Sequence, residues 1–485
     1  MRSAALTWVV LFACAARWLL PADAQAEEPV DSASAASGTI SDQLQGWRDR
    51  MGVPLPEEQF QLRLGGYAML DGTGISQSSA LDALAEEVAG GGDVRDLQLA
   101  LHGVGYGNFT FKLEASIDRG TFELKDNYLA RTGIPYLGDM KLGRFKEGFG
   151  LEHSSSLRQA AFLENSLMDA ITPSRGLGIA FANTALHDRM TWNLGLYFGT
   201  ATVDKIGESN SVSLTGRITG LALHDEDKGR LLHLGLSYSH RSLRAPLDYQ
   251  ARPEVNDAPR YLNTGQFSAD ALNVIGVEAA YQRRSTLVQA EMTWSGTVGA
   301  IREEDVTLND IADEFANRFP RLVDWLAGRT DWERPGDSFL WNIPFDLAAR
   351  GELNFFGGYL QAAHILTGER RAYDTRRAVF GPIVPERPVS RHGGGWGAWE
   401  VAARISHLDL NDGFVRGGRE TNFALGLNWY LTRDVRLALN GVHADISRDA
   451  YEGSMNALVM RLQLDFPPRP LRRPWRHDTE GTAVP

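Results

Sequence analysis

The densest group of residues able to do chemistry is the 30-residue stretch 146–175. It carries His153, Ser154, Ser155, Ser156, Arg158 and Arg175, with Lys141, Arg144 and Lys146 at or before its start. Hydroxyls and cations are the donors that can replace part of an anion's hydration shell at a narrow point, so these residues read as candidate anion contacts if the stretch folds into a pore. A solvated surface loop has the same composition, and both readings stand at this stage. Enzyme chemistry has less behind it. The chain has no G-x-S-x-G, H-E-x-x-H or P-loop string and no close pair of histidines at metal spacing, so neither metal nor cofactor is expected. A barrel-embedded hydrolase would need a serine and a histidine on adjacent strands; His102, His233, His364, His407 and His443 are its scattered candidates, and they read as ordinary strand or turn residues. No enzymatic activity is expected.

These groups must be positioned by strands. From Phe60 onward, segments of about ten residues alternate apolar and polar with period two between Gly, Asp and Asn turns, as strands with one wet face do. Phe109, Phe111, Leu113, Ala115 and Ile117 share one face of such a segment, with Thr110, Lys112, Glu114, Ser116 and Asp118 on the other. Leu458, Met460, Leu462, Leu464 and Phe466 likewise oppose Val459, Arg461, Gln463 and Asp465. Sixteen segments read this way: 60–70, 94–106, 108–118, 121–131, 136–145, 176–184, 190–200, 211–223, 231–241, 272–283, 286–298, 353–366, 396–408, 420–431, 434–445 and 455–466. Alternate connections are short, while the other set includes the long ones at 146–175, 242–271 and 299–352. An even strand number with short turns on one side and long loops on the other is the pattern of an outer-membrane barrel. The expected fold is therefore all-β, a 16-stranded antiparallel transmembrane barrel, because a sheet that crosses hydrocarbon must leave no edge unpaired. One connection departs from the rule: residues 367–395 should form a short turn and do not. A barrel of this size is expected to enclose water and not a packed core, leaving Lys112, Glu114, Arg404 and Arg461 on the inner face without burial.

Composition narrows the class further. With 43% hydrophobic and 23% charged residues the chain is not a disordered polymer, and no stretch reaches the 18 apolar residues a membrane helix requires. A formal charge of −12 leaves no basic footprint, so nucleic acid is not an expected partner. Residues 1–26 read as an export signal, with Arg2 before an apolar run and Ala24-Gln25-Ala26 as a small-x-small cleavage site. Its removal takes the single cysteine, Cys14, which excludes thiolate chemistry in the exported chain. Residues 27–59 read as a periplasmic linker, 60–466 as the barrel and 467–485 as a Pro/Arg-rich tail that cannot be strand.

Alternation places Arg63, Lys112, Lys141, Arg217, Arg404, Arg436 and Arg461 in the lumen, beside Glu114, Asp118, Glu278, Glu291, Glu400 and Asp465. The near balance means that any anion preference must come from local placement.

Several strings resemble the phosphate-selective porin O and P family. They are Met140-Lys-Leu-Gly-Arg-Phe-Lys-Glu-Gly-Phe-Gly-Leu-Glu-His153 with Ser154-Ser-Ser156, then Gly395-Trp-Gly-Ala-Trp-Glu400, Leu425-Gly-Leu-Asn-Trp-Tyr430 and Met460-Arg-Leu-Gln463. The resemblance spans roughly residues 60–466. It implies a homotrimeric channel of the bacterial outer membrane, set in lipid, whose third extracellular loop folds inward as a constriction lined by arginines and lysines. Two positions depart from the family. His153 stands where its phosphate channels carry a lysine, and Arg95-Asp96-Leu97-Gln98 stands where they carry paired arginines and a tyrosine. Arg95 shares parity with Leu97, which puts it at the rim of its strand, and a neutral His153 near Asp96 would attract anions weakly.

The expected function is passive diffusion of small hydrophilic solutes, with anions or phosphate preferred. The alternative is a non-conducting envelope barrel whose 299–352 loop, helix-like over 305–327, serves adhesion or surface-layer contact.

Overall fold

The computed structural model describes residues 61–82, 84–85, 90–105, 108–118, 120–199, 211–301, 351–390 and 394–470. The expected leader, linker, 305–327 helix and tail beyond Pro470 lie outside these residues.

Sixteen strands, each hydrogen-bonded antiparallel to its neighbours in sequence, close into one barrel. They are β1 (Gln61–Gln77), β2 (Gly92–Gly105), β3 (Phe109–Asp118), β4 (Thr121–Ile134), β5 (Gly138–Lys146), β6 (Arg175–Ala185), β7 (Met190–Phe198), β8 (Val212–Asp225), β9 (Arg230–Ser242), β10 (Ala271–Arg283), β11 (Thr286–Val298), β12 (Asn354–Ile365), β13 (Ala398–Asp412), β14 (Val415–Tyr430), β15 (Val435–Arg448) and β16 (Tyr451–Pro470). Each falls on one expected segment. Closure is made by β1 against β16, with Tyr67 opposite Asp465 and Asp71 opposite Arg461. Pairing with β1 continues to Pro470, so the last strand runs past Phe466 into residues expected to be tail.

Period two produces an inside-out protein. Leu97, Leu99, Leu194, Leu196, Leu234, Leu236, Leu458 and Met460 face outward and exposed, while Thr215, Arg217, Thr219, Ser237, Ser239, Arg241, Glu278 and Glu291 are buried on the inner face. That is the distribution hydrocarbon outside and polar contacts inside select.

The interior differs from the water-filled tube expected. Phe149, Phe162 and Leu167 from the 147–174 connection and Leu247, Tyr249, Tyr261 and Phe267 from the 243–270 connection form one buried apolar cluster with Leu272, Val274, Phe355, Leu408 and Ile446 of the wall. Long connections thus bury apolar surface inside the barrel, and Glu114, Arg404 and Arg461 are buried with them. The irregular turn between β12 and β13 is an elaborated connection with no strand missing. Its small ladder, Tyr373–Asp374 with Val379–Phe380, sends Phe380 against Leu151, Leu221 and Leu231, and Tyr373 onto His233.

Candidate functional site

Residues 147–174 connect β5 to β6 through a short helix, Leu151–Ser154, and two 3-10 turns, Leu157–Gln159 and Leu167–Ile171. The wall holds both ends of this segment. Gly150, at φ +61°, turns the chain so that the amides of Leu151 and Glu152 each donate to a carboxylate oxygen of Glu291, both at 2.6 Å. A carboxyl oxygen at a helix start satisfies amides the helix leaves unpaired. Tyr359 donates its hydroxyl to the same carboxylate at 2.5 Å, and Ser237 accepts the Gly150 amide at 3.0 Å. Phe149 sits where a β-carbon on Gly276 would be, so the seat requires glycine.

Farther along, the segment's carbonyls accept from wall arginines and an asparagine. Arg461 donates to Leu163 O at 2.6 Å, Arg404 to Glu164 O at 3.0 Å, Asn428 to Ala161 O at 2.8 Å and Arg436 to the same carbonyl at 3.4 Å. The Arg404 guanidinium also lies 4.3 Å from the centre of the Phe162 ring. Expected lumen cations are therefore anchors for this segment. Their remaining charge is matched by carboxylates: Arg404 by Glu254 at 2.5 Å, Arg461 by Asp71 at 2.7 Å, and Arg217 by Glu278 at 2.6 Å. Arg217 also donates to the Ala378 carbonyl of the 366–397 connection at 3.0 Å. Lys112 is shared by Glu114 at 2.8 Å and Asp126 at 3.4 Å, while Arg63 is exposed at the strand end with Gln61 as its partner.

Arg95 faces inward, contrary to its parity. The register between β1 and β2 slips there, with Met69 opposite Asp96 and Leu70 opposite Val94, so Arg95 is the extra residue of a bulge. A bulge puts two consecutive side chains on one face. Arg95 reaches Glu164 at 2.9 Å and Asp118 at 3.0 Å, and Asp96 accepts from Tyr67 at 2.6 Å. Glu164, pushed up by burial but held lower by Arg95 and Arg461, titrates at about 2.

The other candidates divide. Lys146 donates to the carbonyls of His153 at 2.7 Å and Ser155 at 3.0 Å. Ser155 donates to Leu151 O at 2.7 Å and Ser154 to Phe149 O at 3.3 Å, so these hydroxyls serve their own turn. His153 is buried, with Nε2 3.2 Å from Ser174 O and Nδ1 3.8 Å from Asp169, whereas Asp96 is held by Tyr67. Burial pushes its pKa below the usual value, so the ring is neutral at pH 7. Arg144 donates to the Leu124 carbonyl, beside outward-facing Leu124 and Leu142 and away from the lumen.

Arg158, Arg175, Lys141 and Ser156 remain. Arg158, 32% exposed, meets Asp465 at 3.0 Å over the Tyr67 ring, and Arg175, 23% exposed, meets Asp126 at 2.8 Å. Lys141 stands 5.1 Å from the Tyr128 ring centre and 5.8 Å from that of Phe145. Ser156, half-buried, precedes the Leu157–Gln159 turn without capping it. Water-accessible charge is concentrated on the β3–β6 side: Lys112 and Asp126 are 17% and 20% exposed, against 6% or less for Arg217, Arg241, Arg404 and Arg461.

Glu147, Glu152, Glu164, Glu254, Arg241 and Arg371 were not singled out by sequence. For Arg241 a signal exists, its alternation with Ser237 and Ser239. Arg371 and the four acids sit in connections, where period two says nothing. No histidine is hydrogen-bonded to a serine side chain among the described residues; His233, for example, lies between Tyr373 and Glu278 at 2.8 Å each.

The family described as phosphate-selective porin O and P matches residues 80–311 and 326–466. Porin O of Pseudomonas aeruginosa is 24% identical over 467 residues, 90% of this chain and 96% of that one. An uncharacterised protein of Caulobacter vibrioides is 25% identical over 422 residues, 81% and 72% of the two chains. Among solved structures, an anion-selective porin from Comamonas acidovorans gives a TM-score of 0.47 at 12% identity over 84% of this chain and 100% of its own. The outer membrane channel DcaP of Acinetobacter baumannii gives 0.48 at 8% identity over 85% and 99%.

Proposed function

This chain belongs to the phosphate-selective porin O and P family and is a porin of the bacterial outer membrane, and we propose that its solutes pass between the 147–174 segment and the β3–β6 wall. The observation that carries this reading is the distribution of exposed charge. The inward arginines Arg217, Arg241, Arg404 and Arg461 of β8, β9, β13 and β16 are 6% exposed or less, whereas Lys112, Asp126 and Arg175 of the β3–β6 wall are 17%, 20% and 23% exposed. Conduction is passive, the 147–174 segment is the constriction, and the protein is a channel without enzymatic activity.

Selectivity is a weak preference for anions, phosphate among them. Lys141 lies over aromatic rings, Lys112 and Arg175 share Asp126, and Arg377 and Lys112 are both within electrostatic reach of Lys141. The arginines that could have bound anions are spent on Glu254, Asp71 and Glu278. His153 contributes no charge at neutral pH.

We assign the assembly as a homotrimer with Arg144 at the subunit contact. Arg144 shares the outer face of β5 with exposed Leu142, where the side of another subunit would cover it. Native mass spectrometry and cross-linking at Arg144→Cys test this.

The deciding experiment is the reversal potential of single channels in planar bilayers under a KCl gradient, followed by phosphate addition. A modest anion-directed potential with partial phosphate block is expected. Cation selectivity, or folded protein that does not conduct, overturns the reading.

A further inference from the structure

The 366–397 connection lies on the side of the short turns, which in outer-membrane barrels is the periplasmic side. Its first half enters the lumen, where Phe380 packs on Leu151 and Arg371 donates to the Gln159 carbonyl of the 147–174 segment. Its second half turns the other way. Ile383 is still buried against Ile365, Ala398 and Tyr430. Beyond it the chain runs beneath the end of β14, with the Val389 amide donating to Leu431 O at 2.8 Å and the Gly397 amide to Arg387 O at 2.9 Å. Gly395 passes so close to the Arg387 and Pro388 carbonyls that a β-carbon there has no room.

That route ends on the outer wall. Trp399 and Trp429, opposite each other in register, share the outward rows of Val401 and Leu427 and stack with ring centres 5.1 Å apart. The Trp429 indole donates to the Trp396 carbonyl at 2.7 Å, which fixes Trp396 at the outer edge of the rim. Leu366, which follows β12 and is exposed like Leu360, adjoins them, its amide donating to Trp399 O at 2.7 Å. Trp396 itself is 82% exposed, and Val389 is exposed as well.

An indole left bare in the aqueous periplasm keeps its apolar area hydrated. At the headgroup boundary of a bilayer the same ring is buried while its N–H stays among polar atoms, and tryptophan collects there for that reason. The patch is continuous with the lipid-facing rows of β12 to β14 through Leu360, Val401 and Leu427, so it meets the surface those rows meet. Arg387 brings a cation to the same rim. It is exposed, has no carboxylate partner among the described residues and matches the phosphate of a headgroup. β13 also stands half the ring away from β5. A subunit contact at Arg144 therefore leaves this face to lipid, and the inference rests on that assignment.

We propose that Trp396, Val389 and Arg387 form a foot seated in the interfacial zone of the periplasmic leaflet, with the indole beside the Trp399–Trp429 pair and the guanidinium on a phospholipid phosphate. Lipid thereby holds from outside the connection whose other half braces the constriction from within.

The test uses the full chain labelled with fluorotryptophan in phosphatidylglycerol nanodiscs, where Trp396→Phe and Trp399→Phe identify two fluorine resonances by their loss. A nitroxide near the top of the lipid acyl chain should broaden the Trp396 resonance, and a water-soluble gadolinium chelate should leave it as sharp as that of Trp399. In detergent titrated with nitroxide-labelled phosphatidylglycerol, Arg387→Gln should need about fivefold more lipid for half-broadening, the worth of one cation at an anionic membrane surface. Arg387→Lys should restore most of the affinity. Broadening by gadolinium and not by the lipid nitroxide overturns the proposal, because it places Trp396 in water. So does protection from both, which places protein on this face, either another subunit or a periplasmic partner; cross-linking at Arg144→Cys then shows whether the β5 contact has failed with it. An unchanged titration for Arg387→Gln overturns the phosphate contact.

Discussion

Glu164 lies where the proposed pathway meets its anchors, and its removal should change selectivity in a calculable direction. Its carboxylate joins Arg95 at 2.9 Å and Arg461 at 2.7 Å, and it retains 17% exposure against 2% for Arg461. Glu164→Gln adds one positive charge to the wall without adding a cation. A unit charge about 6 Å from an ion in water-filled space is worth ~0.7 kcal/mol, roughly a threefold enrichment of anions and a threefold depletion of cations. The chloride-to-potassium permeability ratio should therefore rise about tenfold at low salt, less as the Debye length shrinks toward 3 Å at 1 M. Arg95→Gln removes a cation at the same place and should move the ratio by a similar factor the other way. Reversal potentials in bilayers under a KCl gradient read both, with shifts of opposite sign. The charge of Glu164 is stable across the accessible range: its folded value of about 2 lies below the ordinary 4.5, so its contribution is present above the ordinary value and is lost only as pH falls through about 2. If both variants leave the reversal potential unchanged while the barrel stays folded, solutes do not pass this edge of the 147–174 segment and the assigned pathway is wrong.

Two further perturbations address the docking of that segment. Burial raises Glu152 to about 7, with Arg404 opposing and Asp169 adding to the rise; a carboxyl raised in the docked state favours docking fully below its ordinary 4.5, and the advantage disappears as pH climbs to about 7. Docking should thus weaken by up to about 3 kcal/mol across that window, seen as faster labelling of a cysteine placed at Ser156, with Glu152→Gln abolishing the pH dependence. Gly276→Val puts methyl groups where the Phe149 ring lies, 2.8 Å from an ideal β-carbon, and overpacking of about 1–3 kcal/mol should displace the segment and raise single-channel conductance with the barrel intact.

The strands were legible because each repeats one physical instruction, apolar outward and polar inward, over nine or more residues. Phe109 to Asp118 states it without exception, and the structure follows. What the lumen cations do was not legible, because their partners come from remote chain positions. Arg404 meets Glu254 across 150 residues and Arg461 meets Asp71 across 390. Alternation shows which way a side chain points, not what it meets. Arg95 was misplaced for a different reason: one bulge reverses parity, and nothing in Val94-Arg95-Asp96-Leu97 announces it. The packed interior escaped for a third. Phe149, Phe162 and Tyr261 lie in connections, and a connection's apolar residues reveal their place only when the cavity they fill is known.

Asp126 is the residue that most directly separates this lumen from a strongly anion-binding one. It stands between Lys112 at 3.4 Å and Arg175 at 2.8 Å, beside Lys141 and Lys146, and it is accessible to water. Each of those cations is partly cancelled by one carboxylate they share. Asp126→Asn should release them together without removing a strand hydrogen bond, since the amide retains an oxygen toward Arg175. For a dianionic phosphate about 5 Å away, one unit of charge in water is worth ~1.7 kcal/mol, so the half-blocking phosphate concentration should fall by about tenfold to twentyfold. Chloride, singly charged, should gain only about fourfold by the same relation. The difference between the two ions is the informative result. Equal gains would mean the variant acts on pore size, and no gain would place the phosphate path away from the β3–β6 wall; a selective gain for phosphate would show that this chain carries cations for phosphate binding that Asp126 holds in check, with Glu114 also restraining Lys112.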